Sequence, residues 1–299
     1  MFRKLLIPLD GSRLAEAALE PAAYLAERVG AGVALIHIIE RDSPDEVHGE
    51  RHLSDPDEAQ SYLEEVAART FPESVDVECH VHTSFVRDVP QSISDHVDEF
   101  APDLIVMCTH GRSGLGVRLF GSIALQVVGL GVTPVLLVQP TGEPVSLPFE
   151  CRKMLVPLDG NPVHEEGLRV GAGLAEACGA SLHLVTVIQT LGTLTGQTAA
   201  TGRLLPGATS AMLDLDEESA EAYLKQKRAE LDDRPVRVTV SVQRGDPSGG
   251  IVHAAFDQEV DVIVLGTHGR SGLAAFWEGS VGAAVASRSH LPLLLVPIR

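Results

Sequence analysis

Apolar runs of four to eight residues alternate along the chain with longer segments whose apolar residues recur at helical spacing. The runs are nearly continuous Val, Ile and Leu, the pattern of parallel strands covered by helices on both faces. In the first half the predicted strands are Lys4–Leu9, Gly32–Ile39, Val75–His82, Asp103–Cys108 and Val135–Val138. In the second half they are Lys153–Leu158, Ser181–Ile188, Val236–Gln243, Asp261–Gly266 and Leu293–Val296.

Helix-start signals lie between these runs. Asn161-Pro162 and Asp246-Pro247 each place a capping side chain before a proline that can occupy the first helical position. A strand–helix–strand order with short loops predicts a parallel sheet. We therefore predict an α/β protein with two Rossmann-like, doubly wound domains, each with a five-stranded parallel sheet flanked by helices. Ligands of such sheets lie at the carboxyl ends of the strands, near the point where the strand order reverses.

Two sequence motifs occur twice in the chain. Pro-Leu-Asp-Gly at 8–11 returns at 157–160, and Thr-His-Gly-Arg-Ser-Gly-Leu at 109–115 returns at 267–273. Repetition of this kind indicates one structural unit used twice. We predict a first domain at 1–140, a proline-containing linker at 141–150 and a second domain at 151–299.

The second half is longer between its two motifs. The first motif returns after 149 positions and the second after 158, so the second half carries nine more residues there. Most of them are expected in the Gly- and Thr-rich segment Leu191–Ser210, which follows the second strand at the ligand end of the sheet. We expect this segment to be either a lid over the second site or a disordered insertion.

Composition narrows the possible partners. The 299-residue chain has 41 acidic and 23 basic side chains, a net charge of −18, which disfavours binding to nucleic acid or to an acidic membrane. No apolar run approaches the roughly 20 residues of a membrane helix, and the N-terminal sequence has no signal-peptide pattern. We expect a cytoplasmic protein without membrane insertion. Its four cysteines form no CxxC pair, which predicts reduced and mostly buried thiols.

Two kinds of polar side chain recur at the predicted carboxyl ends of the strands. Asp10 and Asp159 end the first strand of each half, and His110 and His268 follow the fourth strand. Each Asp could contact a ligand, cap the following helix, or do both. Because no Ser or Cys nucleophile is fixed beside either His, a ribose or main-chain contact is favoured over acid–base catalysis.

A glycine-rich loop follows each of these histidines. In the second half Gly266 and Gly269 are followed, after nine residues, by Gly279-Ser280 at the start of a helix. Glycines let the backbone approach a ligand closely, and free N–H groups at a helix start bind phosphate. A nucleotide fits this pattern, with its base toward Asp159 and its phosphates on the loop. The competing interpretation, a tight turn between strand and helix, is disfavoured because the pattern occurs twice.

The spacing G-x2-G-x9-G-[ST], with an upstream Asp and the run His-Gly-Arg-Ser-Gly-Leu, closely resembles the universal stress protein family over nearly the whole chain. The resemblance implies a tandem member of the ATP-binding branch. In the second half it implies nucleotide contacts from Pro157, Leu158, Asp159, Val187, Gly266, His268, Gly269, Gly279, Ser280 and Val281. In the first half it implies contacts from Pro8, Leu9, Asp10, Ile38, Met107, Cys108, His110, Gly111, Gly121, Ser122 and Ile123.

Both halves depart from the family pattern. Cys108 replaces the first glycine of the loop in the first half, which puts a side chain where the backbone should approach the nucleotide; a buried thiol is the plainer role for it. The second half keeps Gly266 but has Trp277-Glu278 before its last glycine, and this carboxylate would repel phosphate unless it faces solvent or a metal ion. The first half has Arg118 in that stretch. Lost backbone access is harder to relieve, so we expect the second half to bind more tightly.

An acidic segment in the first half contains two histidines. His48 and His52 lie among Asp45, Glu46, Glu50, Asp55, Asp57 and Glu58. Residues four apart share one face of a helix, and such a pair can bind zinc or nickel. A solvated acidic surface is favoured instead, and no metal-ligand set is predicted.

Binding is favoured over turnover, because the sequence contains neither a Walker A loop nor the kinase motifs. We predict a stress-response regulator that binds ATP, ADP or AMP, with at most slow hydrolysis aided by Mg²⁺ on the phosphates. The alternatives are an assembly module of the same fold that binds no nucleotide, and an enzyme such as a slow ATPase or a nucleotidyl transferase. The resemblance also implies an intrachain pseudo-dimer in which Val135–Val138 and Leu293–Val296 pair antiparallel, and a homodimer of the whole chain is compatible with it.

Overall fold

The computed structural model contains all ten strands predicted from the apolar runs, joined by helices, so the predicted α/β class is confirmed. It describes residues 2–41, 46–47, 50–109, 122–130, 133–140, 148–268 and 280–298. The chain forms two compact units. Of the described residues, unit 1 comprises those up to Glu150 together with His268 and Leu291–Pro297, and unit 2 comprises Cys151–Thr267 together with 280–290 and Ile298.

Unit 1 alternates strands and helices from its first residues onward. Its elements are β1 (Lys4–Pro8), α1 (Arg13–Glu16), α2 (Leu19–Val29), β2 (Gly32–Glu40), β3 (Glu46–Val47), β4 (Glu50–Arg51), α3 (Pro56–Thr70), β5 (Val77–Val86), α4 (Val89–Phe100), β6 (Leu104–Cys108), α5 (Ser122–Leu130) and β7 (Val135–Val138).

The sheet of unit 1 runs in the order β5-β2-β1-β6-β7, and all of these strands are parallel. β1 lies near its centre, and Leu5, Leu6 and Ile7 are fully buried there. The order reverses direction at β1, whose neighbours are β2 and β6. Asp10 lies two residues after the end of β1 and therefore at the ligand edge of the sheet.

Unit 2 repeats this arrangement. Its elements are β8 (Lys153–Pro157), a 3₁₀ turn (Pro162–Glu165), α6 (Glu166–Cys178), β9 (Ser181–Ile188), α7 (Gly196–Leu204), α8 (Pro206–Ala229), β10 (Val238–Arg244), α9 (Pro247–Asp257), β11 (Val262–His268) and α10 (Val281–Arg288). Four strands, in the order β10-β9-β8-β11, form its parallel sheet. β8 holds the position that β1 holds in unit 1.

The last strand, β12 (Leu293–Ile298), pairs antiparallel with β7. Leu293 lies opposite Leu137, and Leu295 lies opposite Val135. All four side chains are buried. The two strands that the family resemblance pairs are therefore hydrogen-bonded neighbours.

The inserted segment of the second half is helical. Residues 196–204 form α7, and α8 begins at Pro206. A disordered insertion, one of the two expectations for Leu191–Ser210, is not what the structure shows. The turn before α7 is held by Thr193, whose hydroxyl accepts from the Thr190 backbone N–H at 2.8 Å.

The predicted helix-start signals act as expected. Asn161 accepts from the Val163 N–H at the 3₁₀ turn, and Asp246 accepts from the Gly249 N–H at α9, each with proline in the first helical turn. Three of the four cysteines are buried, Cys79 is half-buried, and all four are free thiols. Within the described part of the chain, the helices are too short or too polar to cross a bilayer.

Candidate functional site

A cavity of about 750 Å³ opens at the carboxyl ends of β8 and β9. Its floor consists of residues that follow or end these strands, and its roof consists of α7 and α8. The lining residues are Asp159, Gly160, Thr186, Val187, Ile188, Gln189, Leu194, Thr198, Thr201, Thr209, Met212, Leu213, Asp216, Ser219, Ala220 and Tyr223. This volume lies within the range of small-molecule and cofactor pockets, roughly 300 to 1,000 Å³.

The Asp159 side chain, just after the end of β8, is held in place by two contacts. One carboxylate oxygen accepts from the Asn161 backbone N–H at 3.0 Å, and the other lies 2.6 Å from His164 Nδ1. The capping role belongs to Asn161, two residues later. Asp159 is thus a fixed acceptor at the cavity wall rather than the helix cap. His164 was not singled out in the sequence, and its position five residues after the strand-end Asp was the available signal.

The cavity combines apolar walls with hydroxyl groups. Leu194, Met212 and Leu213 supply apolar surface, and four threonines and Ser219 supply hydroxyls. The Thr186 hydroxyl is buried and has no hydrogen-bond partner among the described residues. A buried polar group of this kind costs free energy unless a ligand or a water satisfies it. Among the described residues, the lining includes two carboxylates, those of Asp159 and Asp216, and no Lys or Arg.

One face of α8 provides nearly half of the lining. The contributing positions are Thr209, Met212, Leu213, Asp216, Ser219, Ala220 and Tyr223. Their spacing of three or four residues is that of a single helical face. The Tyr223 hydroxyl donates to Glu165 Oε1 at 2.9 Å, and burial together with this hydrogen bond raises its pKa, so the phenol stays protonated.

Val187, implied by the family resemblance, packs away from the cavity roof. A methyl group placed on Gly250 of α9 would lie 2.8 Å from Val187 Cγ1, so this side chain lies against α9. Neighbours in a strand point to opposite faces. Thr186 and Ile188 therefore face the roof side, and Val187 presents mainly its backbone to the cavity.

Gly266 is required by packing as well as by any ligand. A Cβ at this position would lie 2.8 Å from the backbone oxygen of His164, closer than real Cβ atoms come. Gly167 is similarly tight, since a Cβ there would lie 3.0 Å from the Gly266 nitrogen. The loop glycine therefore lets the start of α6 approach β11. Backbone access for a ligand is not its sole role.

Ser280 begins α10, as predicted. Its hydroxyl accepts from the Ala283 N–H at 3.1 Å and caps the helix. Val281 is the first helical residue and is exposed. The N–H groups at the start of this helix remain suited to an anion.

In unit 1, the region at the carboxyl ends of β1 and β2 contains different side-chain contacts. Asp10 accepts from both the N–H and the hydroxyl of Ser12, at 2.9 and 2.7 Å, and Ser12 caps α1. His37 spans the carbonyls of Leu9 and Leu53, each 2.9 Å from a ring nitrogen. Gly11, with φ of +87°, lies under Leu53, whose Cδ1 would be 2.8 Å from an added Cβ. The end of β2 is thus covered by the chain itself.

Cys108 ends β6 where unit 2 has Gly266. It is buried, and its thiol lies 3.6 Å from the Thr109 carbonyl oxygen. Burial, followed by the charge of Asp10, raises the thiol pKa to about 12. A thiol with this pKa is almost wholly protonated at neutral pH, which is typical of an inert buried cysteine.

The remaining predicted site residues fall into three groups. Pro8, Leu9, Ile38, Met107 and Ile123 in unit 1, and Pro157 and Leu158 in unit 2, are described and are buried or half-buried. Ser122 and His268 are described in their backbone only. His110, Gly111, Gly121, Gly269 and Gly279 lie outside the described residues.

The acidic segment of unit 1 departs from the expected solvated surface at one residue. His52 is buried, both of its ring nitrogens lack a hydrogen-bond partner among the described residues, and its ring lies 6.3 Å from that of His37. Glu50–Arg51, just before it, is a strand paired with Glu46–Val47. Helical spacing of His48 and His52 therefore does not apply, and His48 lies outside the described residues.

Comparison with known proteins places both units in one family. The model of the universal stress protein family matches residues 1–139 and 150–297. The protein Sll1654 of Synechocystis, a universal stress protein, is 34% identical over 145 residues, 46% of this chain and 86% of that protein. The universal stress protein MJ0531 of Methanocaldococcus jannaschii is 26% identical over 145 residues, 48% of this chain and 81% of that protein.

The fold has a solved counterpart over its whole length. A universal stress protein from Archaeoglobus fulgidus aligns with a TM-score of 0.62 at 19% identity, covering 99% of this chain and 96% of that one. At this identity the likeness concerns the fold. It extends across both units.

Proposed function

The chain belongs to the universal stress protein family as a tandem member, and on that premise we propose that its unit 2 cavity binds an adenine nucleotide. The observation that carries this proposal is the cavity itself. It lies at the carboxyl ends of β8 and β9, where a doubly wound sheet binds its ligands, and it is lined by Asp159 and the end of β9.

The lining suits a nucleoside better than a phosphate. In the described part of the chain, two carboxylates and no basic side chain line the cavity, and these carboxylates would repel an anionic group inside it. Adenine offers flat apolar faces for Leu194 and Met212, and its edge matches backbone and hydroxyl groups at the end of β9. Asp159, fixed through Asn161 and His164, is placed to accept a hydrogen bond from a ribose hydroxyl.

The phosphates are assigned to the start of α10. Ser280 caps this helix, and the first N–H groups together with the helix dipole favour an anion there. ATP, ADP and AMP would share the nucleoside subsite and differ at this end. Mg²⁺, if carried by the nucleotide, would neutralise phosphate charge. Control of conformation or partner choice by occupancy is the regulatory role that we propose.

Unit 2 is proposed as the dominant site. Its roof helices leave space over β9, whereas in unit 1 Leu53 covers Gly11 and His37 occupies the end of β2. The expected stoichiometry is therefore one nucleotide per chain.

We further infer that the two units act as an intrachain pseudo-dimer. The division into 1–140, a linker at 141–150 and 151–299 is supported by the two family matches. The antiparallel pairing of β7 with β12 joins strands from the two halves of the sequence, and both strands lie in unit 1.

A substitution in the roof tests the nucleotide site. Thr198 is an exposed residue of α7 that lines the cavity, so Thr198→Trp should fill the cavity without disturbing the core. We expect isothermal titration with ATP to show at least a tenfold loss of affinity, about 1.4 kcal/mol. Gln197→Trp, on the same helix but outside the lining, is the matched control and should bind ATP as the wild type does.

Two outcomes would reject the proposal. Wild-type protein that binds no ATP, ADP or AMP at millimolar concentration would favour an assembly module without nucleotide. Equal loss of affinity in Thr198→Trp and Gln197→Trp would mean that the cavity is not the binding site.

A further inference from the structure

Three histidines of unit 1 meet between an edge of the sheet and a helix. His80 and His82 are two positions apart in β5, so they lie on the same face of the strand. His96 projects from α4 and is buried. One nitrogen from each ring lies within 4.8 Å of the other two. The ring centroid of His96 is 5.1 Å from that of His80 and 4.9 Å from that of His82.

The hydrogen bonds of His96 fix which nitrogen faces the cluster. Its Nδ1 lies 2.7 Å from the Ser92 carbonyl oxygen, which can only accept, so Nδ1 carries the proton and donates it. In the neutral ring Nε2 then holds a lone pair directed at His80. A metal-binding imidazole is typically oriented in this way, by donating its other N–H to a carbonyl.

One pair of nitrogens has the spacing that a tetrahedral ion requires. Zn–N bonds of about 2.0 to 2.1 Å at tetrahedral angles place ligand nitrogens about 3.3 Å apart. His80 Nε2 and His96 Nε2 are 3.3 Å apart. Phe100 stacks on the His96 ring, with a 10° angle between the planes, and restricts rotation of that ring.

A carboxylate that could serve as a fourth metal ligand lies near the three histidines. Glu99 Oε2 lies 3.8 Å from His96 Nε2, and this side chain is more than half exposed and free to rotate inward. Lys4, whose ammonium lies over Phe100, is paired with Glu78 at 2.9 Å.

We propose that His80, His82 and His96 form a binding site for a divalent transition-metal ion, with Zn²⁺ the ion whose geometry the site fits best. Three imidazoles with one remaining position are a ligand set found for zinc. The ion would tie α4 to β5, the last strand of the unit 1 sheet. This site is separate from the proposed nucleotide cavity, whose described lining residues all belong to unit 2.

Zinc titration of the full-length chain tests the site. Competition between the protein and a chromophoric chelator should give one tight Zn²⁺ site per chain, and Co²⁺ in its place should give the intense visible absorption of a four-coordinate ion. His80→Gln and His82→Gln should each weaken Zn²⁺ binding by more than about tenfold. Both residues are half-buried on an outer strand, so these variants should fold.

The matched control is His253→Gln, which removes an exposed histidine of α9 in unit 2 and should leave Zn²⁺ affinity unchanged. Saturating Zn²⁺ should also raise the melting temperature of the wild type and of His253→Gln, but not of the two cluster variants. Wild-type affinity in folded His80→Gln and His82→Gln would overturn the proposal. So would a Co²⁺ spectrum typical of a six-coordinate aqueous ion.

Discussion

The two units carry the same Pro-Leu-Asp-Gly motif after their first strand, but they differ in the side chains near the end of their second strand, β2 in unit 1 and β9 in unit 2. In register, Thr186 of unit 2 corresponds to His37 of unit 1, because Val185 pairs with Pro157 as Ile36 pairs with Pro8. His37 reaches two backbone carbonyls, whereas the Thr186 hydroxyl lies buried beside a cavity and has no hydrogen-bond partner in the part of the chain that the structure describes. The same register position thus holds a hydrogen-bonded side chain in unit 1 and a cavity-lining side chain in unit 2.

The fourth strand shows a second difference. In unit 2, the backbone of His164 packs closely against Gly266 at the end of this strand. In unit 1, the equivalent position holds Cys108, whose thiol is buried. The repeated motif therefore fixes the strand-end geometry but does not decide whether a ligand has room. That depends on residues outside the motif, at the end of the second strand and in the segment that follows it.

The largest expected effect concerns Gly266. Gly266→Ala forces a Cβ to within 2.8 Å of a backbone oxygen, so the start of α6 must shift. We expect a loss of about 3 kcal/mol in the free energy of unfolding, measured by urea denaturation. Cys108→Ala, at the equivalent position of unit 1, removes only a sulfur and should cost about 1 kcal/mol. Equal losses would mean that the two strand ends pack alike.

A pH dependence specific to unit 2 comes next. His183 is buried between the Thr239 and Ser241 hydroxyls, each 2.8 Å away, and burial lowers its pKa to about 4. Unfolding raises this pKa to its ordinary value near 6.5, so the unfolded chain binds the proton more tightly. The stabilisation is complete above pH 6.5 and is lost as the pH falls toward 4, by at most about 3 kcal/mol.

His183→Gln tests this dependence. The variant should show a shallower fall in stability than the wild type between pH 6.5 and 4, measured by denaturation at each pH. Ala34 holds the equivalent register position in unit 1 and cannot titrate. An unchanged slope would show that His183 does not carry the linkage.

Exchanging the residue that distinguishes the units should remove the nucleotide site. Thr186→His places in unit 2 the side chain that occupies this register position in unit 1. Because an open cavity adjoins this position, we expect the variant to fold and its ATP affinity to fall at least tenfold, as measured by calorimetry. Undiminished affinity would show that closure at the end of the second strand is not what separates the units.

The smallest expected effect is a gain in stability together with a loss of ATP affinity. Thr186→Val keeps the shape of the side chain but removes a buried hydroxyl that has no hydrogen-bond partner among the described residues. The ligand-free protein should gain roughly 1 kcal/mol in the free energy of unfolding, while ATP binding should weaken by a similar amount if this hydroxyl bonds the nucleotide. A variant that is destabilised and binds ATP normally would contradict both expectations.

Strand positions could be predicted from the sequence because buried parallel strands are continuous apolar runs. Lys4–Pro8 and Ser181–Ile188 lie where the runs lie, with boundaries within a residue of those predicted. The N-cap at Asn161 was likewise readable, since it depends on two adjacent residues. These features are local, and local physics determines them.

The cavity roof was harder to predict. Thr209, Asp216 and Tyr223 share one face of α8, and their spacing of seven residues was visible in the sequence. A face that mixes polar and apolar residues resembles an ordinary solvent boundary, so spacing alone did not reveal a lining. It became one because α7 and α8 fold over the end of β9.

The histidine cluster illustrates the same limit. His80 and His82 show the alternation of a strand, but His96 lies on another element, and tertiary packing alone brings it near. For the acidic segment around His52, the sequence pattern predicted solvent exposure where tertiary packing produces burial. Its charges suggested a solvated surface, yet His52 is buried beside His37 because the segment folds back on the end of β2.

The central claim is that one unit binds nucleotide and the other is closed. Native mass spectrometry of the chain titrated with ATP tests it most directly, with Asp159→Ala and Asp10→Ala as a matched pair. We predict one nucleotide per chain, lost in Asp159→Ala and kept in Asp10→Ala. Two nucleotides per chain, or a single one lost only in Asp10→Ala, would contradict the account.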